Sequence, residues 1–203
     1  MIDYLTRYYD RLLSAAAEHL VLTAVTLVIS LAIAAGLTVL CCLSRPLSRV
    51  LVNVLSMIYS IPSLALFALL IPLTGLGRVT AVIGLVIYNQ YLLLRNILAG
   101  IDGVDPGVTE AATGMGMTKL QVLFKIQLPL AKGAIIAGIR IAAVSTVGIA
   151  TIAASINAGG LGAILFDGLR TMNTAKIVWG SVLSAVLAIG IDALLKLAEP
   201  KTE

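Results

Sequence analysis

LVLTAVTLVISLAIAAGLTVLCC, residues 20–42, holds no charged side chain, and this decides the class of fold. A helix that crosses the hydrocarbon core of a bilayer needs about 20 mostly apolar residues, and here they come in one run. The run ends at the turn signal Ser44-Arg45-Pro46. Similar runs follow over about 50–73, 79–100, 133–156 and 177–197, which predicts an all-α membrane protein with about five spanning helices. Composition agrees, since 60% of the 203 residues are hydrophobic and 12% charged, against about 45–50% and about 25% in soluble domains. So much apolar surface cannot be hidden inside one globule of this size.

Working outward, residues 1–19 carry Ile2, Leu5, Tyr8, Tyr9, Leu12, Leu13 and Ala16 at helical spacing. This predicts an amphipathic helix in the membrane interface, with His19 as an anchor at its end. Asp3, Arg7, Asp10, Arg11 and Glu18 interrupt the segment too often for a signal peptide. Residues 20–197 form the single transmembrane domain, and 198–203 a short tail. The second run contains Pro62, whose missing N–H should kink the helix within Tyr59–Ser63. The fourth is rich in Gly, Ala and Ser, which lets another helix approach closely. Cys41 and Cys42 are neighbours that read as reduced, small apolar fillers.

The net charge of +4 does not point to nucleic acid, because the 14 basic residues are scattered between apolar runs. They act instead as orientation signals. Arg45, Arg49, Arg95, Lys119, Lys125, Lys132, Arg140, Lys196 and Lys201 collect on one side, and Arg7, Arg11, Arg78, Arg170 and Lys176 on the other. The richer side is cytoplasmic, which predicts the N-terminus outside and the C-terminus in the cytoplasm.

Between the third and fourth runs, residues 101–132 leave the apolar pattern for a length that a simple connection does not need. Asp105-Pro106 reads as an N-cap and first helical residue, opening a short helix through Glu110-Ala111-Ala112 that Gly114 and Gly116 end. Thr118 and Gln121 have capping-box spacing, and Leu128-Pro129 stops the second short helix. Two readings stay open: a knob that fits a cytoplasmic partner, or a hairpin folded flat on its own spans.

Glu110-Ala111-Ala112, Gly116 and Ile126-Gln127-Leu128-Pro129, in that spacing, resemble the EAA signature of ABC importer permeases. The resemblance implies a type I importer permease fold in which this loop is the coupling region. Glu110, Ala111, Ala112, Gly114, Gly116, Ile126, Leu128 and Pro129 would then meet an ATP-hydrolysing subunit. Ile61-Pro62-Ser63-Leu64-Ala65-Leu66, Gly100-Ile101-Asp102-Gly103-Val104-Asp105-Pro106, Gly114-Met115-Gly116-Met117-Thr118 and Gly159-Gly160-Leu161-Gly162 are similar to osmoprotectant importer permeases. That family carries glycine betaine, carnitine, choline or proline betaine across the bacterial cytoplasmic membrane. It implies a second permease subunit, identical or paralogous, two ATP-binding subunits that hold ATP and Mg, and a separate extracytoplasmic binding protein. The methionine-type permease is the alternative within the class.

Five spans are too few to enclose a path alone, so the path should lie between two permeases. Tyr88, Asn89, Gln90 and Tyr91 are the first candidates to line it, and Tyr59, Ser60, Pro62 and Ser63 the second. Hydrogen bonding between helices is the equal alternative for each polar one. Arg95 and Arg140 either snorkel or meet the loop acids Asp102 and Asp105, and Asp192 caps or pairs locally. Asn157, Gly159, Gly160, Gly162 and Asp167 are candidates for an outer gate or a docking surface for the binding protein. No catalytic or metal-binding constellation is legible, because one histidine and no Cys-x-x-Cys or phosphate-loop motif are present. ATP hydrolysis is therefore expected on another subunit, and the competing class is an ATP-independent channel.

Overall fold

The computed structural model describes residues 2–199, and among these every regular element is helical. The first helix, α1, runs over Ile2–Leu43. It passes unbroken through the expected boundary at residue 19, with non-helical backbone only at Tyr8 (φ −126°, ψ 22°). Arg, Glu and Ala are good helix formers, so the charges ahead of the apolar run redirect the buried face without ending the helix. The expected tail is described only to Glu199, and residues 200–203 with Lys201 lie outside the described residues.

The second apolar run is two helices, α2 over Arg45–Tyr59 and α3 over Ser63–Thr74, set at 97°. The expected kink is thus a break. Pro62 sits in extended conformation (φ −57°, ψ 137°) just before α3, where its missing N–H costs nothing. The N–H groups of Ser60 and Ile61 turn back to Ser56 and Ile58 carbonyls, and the Tyr88 hydroxyl donates to the Ile61 carbonyl. The backbone groups freed at the break are therefore largely satisfied within the protein, as a break at membrane depth requires.

The third and fourth runs are α4, Arg78–Asp102, and α8, Lys132–Ala153. Between them lie α5 (Pro106–Gly114), α6 (Lys119–Val122), a π-helical turn (Leu123–Gln127) and α7 (Leu128–Leu130). A 3₁₀ turn over Ala154–Ile156 leads to α9, Leu161–Arg170, and the last run is α10, Thr174–Lys196. Among the described residues, four helices are long and apolar enough to cross a membrane, and the bent pair would make a fifth.

Helix α4 is the centre of the bundle and packs against α1, α2, α3 and α8. One core cluster joins Leu22, Phe67, Leu85 and Ile156, and another joins Ala34, Leu93, Ile97, Leu123 and Ala142. Close crossing of α4 and α8 depends on Gly138, where an added Cβ would meet Asn96 Cβ at 2.5 Å. Small residues at such crossings gain van der Waals contact, the main adhesive when lipid is as apolar as the helices. Outward, Val28, Val186 and Ile189 stay exposed, as a bundle surrounded by lipid allows.

Candidate functional site

At one end of the bundle, α5 to α7 form a folded projection. The Asp105 carboxylate accepts from the Gly107 N–H at 2.7 Å and caps α5. Gly116, at φ +88°, reverses the chain in the left-handed region that glycine enters at no steric cost. The capping box is complete, with Gln121 N–H donating to Thr118 Oγ1 at 3.3 Å and Thr118 N–H to Gln121 Oε1 at 2.8 Å. Leu123, 1% exposed, pins the projection into the cluster of Leu93 and Ala142.

The residues expected to couple divide by direction. Glu110, Ala111, Gly114, Gly116 and Pro129 face outward, and Met115 beside them is 77% exposed. Ala112 is 2% exposed and faces inward. Leu128 packs against the same cluster as Leu123, and Ile126 is half-buried. The outward set forms a tip on a rigid base, and the inward set holds that base to α4 and α8.

In the middle of the bundle, Asn89 and Gln90 are buried inside the chain. The Asn89 amide donates to Ser30 Oγ at 3.2 Å and to Thr146 Oγ1 at 2.9 Å, and the Gln90 amide donates to the Ser30 carbonyl at 3.3 Å. Of the two roles the sequence left open, this geometry is that of a clamp joining α1, α4 and α8. Tyr59 instead packs edge-on to Tyr88 (5.5 Å) and tilted on Tyr91 (5.0 Å), with Arg95 at 5.7 Å from the Tyr91 ring centre. These rings brace the α2–α3 break. Ser60 and Pro62 are exposed there and Ser63 is half-buried.

Asp192 does not pair locally. It binds Arg140 across two helices through both oxygens, at 2.8 and 3.0 Å, and Glu199 adds a contact at 2.6 Å. Arg140 therefore meets neither Asp102 nor Asp105 as its partner. The planar guanidinium fits a carboxylate by such a fork, and this joins α8 to the end of α10.

At the opposite end, the loop carrying Asn157, Gly159 and Gly160 is tied to α1 and α4. Glu18 accepts from the Gly160 N–H at 3.1 Å and pairs with Arg78 at 2.9 Å. His19 is fully buried and its Nε2 lies 3.1 Å from the Val147 carbonyl, so it bolts α1 to α8 and is no interface anchor. Gly160, at φ +70°, passes so near that a Cβ would lie 3.0 Å from His19 Nδ1. Gly162 packs on the Thr151 carbonyl and Ala154. Asp167 pairs with Lys176 at 2.7 Å, and that hydrogen bond first, with the nearby Lys176, Arg170 and Arg11 charges, holds its carboxyl below the usual range. Glu18, Arg78, His19, Ser30 and Thr146 were not singled out for these roles. The available signal was His19, Thr23, Thr26 and Ser30 on one helical stripe, all buried.

A family model described as "Binding-protein-dependent transport system inner membrane component" matches residues 28–203. The chain belongs to this family. It is thus a transport permease subunit and a multi-pass cell-membrane protein, of a kind that works with binding-protein and ATPase partners. A choline transport system permease protein of Bacillus subtilis is 34% identical over 201 residues, covering 99% of this chain and 93% of that one. A carnitine transport permease protein of Listeria monocytogenes is 37% identical over 196 residues, covering 96% and 88%. In fold, the permease is similar to a chain of an amino acid ABC transporter (TM-score 0.81, 21% identity, 96% and 95% covered). It is also similar to a chain of a methionine ABC transporter in an inward-facing conformation (TM-score 0.78, 23% identity, 92% and 95% covered). The resemblance carried by the loop motif and the type I permease fold are both borne out.

Proposed function

We propose that this permease carries quaternary-ammonium osmoprotectants, namely glycine betaine, carnitine, choline or proline betaine, inward across the membrane. The observation that carries this reading is the similarity to choline and carnitine permeases over nearly the whole chain. Two permease subunits face each other, and the path runs between them. The N-terminus lies outside and the projection of α5 to α7 in the cytoplasm, in keeping with the distribution of basic residues. ATP and Mg are bound by two separate ATPase subunits, and the tip at Glu110, Ala111, Met115 and Gly116 seats in them. Rigid-body closure of those subunits on ATP then turns the base fixed by Leu123 and Leu128, and with it α4 and α8.

Recognition of the cation rests on the extracytoplasmic binding protein. A methylated ammonium is attracted to aromatic faces, but Arg95 already lies near the Tyr91 ring and Tyr59 packs on both Tyr88 and Tyr91, so the three rings offer brief contact and not a cage. Proteoliposomes holding this permease, its ATPase and its binding protein should accumulate labelled choline, carnitine or glycine betaine only with ATP inside. Uptake of methionine in their place would favour the methionine-type reading, and uptake that ignores ATP would favour a channel.

A further inference from the structure

At the end of the bundle away from the projection, α1 and α9 leave an open cleft of about 440 Å³. One wall is a stripe of α1 with Tyr4, Arg11, Ser14 and Glu18, and the other a stripe of α9 with Asp167 and Arg170. Both walls are braced from behind. Glu18 is tied to Arg78 and the Gly160 N–H. Helix α9 is stapled to α10 where Gly168 meets Ile177 with no room for a Cβ, and where Gly180 packs closely on Leu165. The cleft is thus preformed, which lowers the ordering cost of binding.

Its lining holds two carboxylates, Glu18 and Asp167, and two guanidiniums, Arg11 and Arg170, but each carboxylate also serves a base from outside the lining. Glu18 is occupied by Arg78 at 2.9 Å, and Asp167 by Lys176 at 2.7 Å. Arg170 reaches Asp167 only at 3.8 Å with its side chain 84% exposed. Arg11 lines the cleft without a carboxylate within ion-pair distance among the described residues. Two guanidiniums therefore face a polar cleft with their nearest acids already taken. An isolated surface arginine is well solvated and calls for nothing, but two that converge on one concavity raise the local positive potential. They also present donor forks that suit a carboxylate.

We propose that this cleft receives an acidic side chain of the extracytoplasmic binding protein, with Arg11 and Arg170 as the anion-binding pair. The inference rests on the importer reading above and names the chemistry of its docking surface. Glu18, which lines the same cleft, also holds the Gly160 loop, so the docked segment would lie beside the loop that is a candidate outer gate.

The test uses the complete transporter in proteoliposomes and its purified binding protein, titrated at low and high salt. Arg11→Glu with Arg170→Glu should raise the half-saturating binding-protein concentration at least about ten-fold and flatten its salt dependence, because rim charges act on encounter. Arg11→Lys with Arg170→Lys should recover most of the affinity, and saturating binding protein should restore uptake in the reversed variant. An unchanged half-saturating concentration overturns the proposal. So does an activity loss that saturating binding protein leaves in place and that depends on anionic lipid in the vesicles, which would assign the pair to phosphate headgroups. Wild-type uptake that needs no binding protein would instead overturn the importer reading itself.

Discussion

Replacement of Asn89 by leucine tests whether the buried amide holds helices or meets substrate. Asn89 bonds Ser30 on α1 at 3.2 Å and Thr146 on α8 at 2.9 Å, and the Thr146 hydroxyl has a second acceptor in the Ala142 carbonyl at 2.7 Å. Interhelical hydrogen bonds in membranes average about 0.6 kcal/mol and reach about 1.7. Two such bonds, lost to a side chain of similar size, amount to about 1–3 kcal/mol. The lower half of that range is expected because Thr146 keeps its Ala142 partner and is not orphaned. The assay is a double-mutant cycle of Asn89→Leu and Thr146→Val, read as reversible unfolding of the detergent-solubilised permease, with substrate half-saturation measured in parallel. The clamp predicts a coupling of about 0.6–1.7 kcal/mol and unchanged substrate half-saturation. Zero coupling, together with an altered preference among choline, carnitine and methionine, would place Asn89 on the path and not in a helix clamp.

Gly116→Asp should abolish ATP-driven uptake at normal membrane abundance. The φ of +88° is strained for any L residue and the tip is exposed; uptake with quantified expression checks this. Gly162→Ala drives a Cβ into the Thr151 carbonyl and within 2.8 Å of Ala154 Cβ, and should cost about 1–3 kcal/mol by overpacking, seen as a lower melting temperature that Gly148→Ala does not share. For Asp167 the sign follows from its lowered folded value: the Lys176 pairing contributes fully above the ordinary carboxylate value near about 4 and is lost as pH falls through the lower folded one. Acid unfolding of the wild type should therefore show a slope in that window that Asp167→Asn lacks.

The spans were legible because each is a continuous apolar run, and the ends of α4, α8 and α10 fall within a few residues of the expected ones. The loop was legible because its caps are local: Asp105 with Gly107 and Thr118 with Gln121 are neighbours in sequence. The sharp turn at Pro62 was visible as a kink but not as a 97° break, since its angle depends on Tyr88, far along the chain, holding Ile61. Long-range polar pairs were the least visible part. Nothing near Arg140 in sequence indicates Asp192 and Glu199, and nothing near His19 indicates Val147. The buried stripe of α1 was readable in principle, but Thr23, Thr26 and Ser30 sit in an apolar run that reads simply as a span, while the charges at Arg11 and Glu18 made residues 1–19 read as a surface helix. Both readings fit one helix whose outer end is charged and whose inner face is buried.

If the exposed tip of the loop is held by the nucleotide-driven subunit, a cysteine at Met115 lies within reach of that subunit. Native Cys41 is buried and Cys42 half-buried, so a water-soluble crosslinker should act chiefly at the new site. Met115→Cys in the intact transporter should be joined to the ATPase subunit, with a yield that changes when ATP is bound and hydrolysed. A thiol that labels freely from the cytoplasmic side in the presence of the ATPase, or only from within lipid, and never crosslinks to that subunit would contradict it.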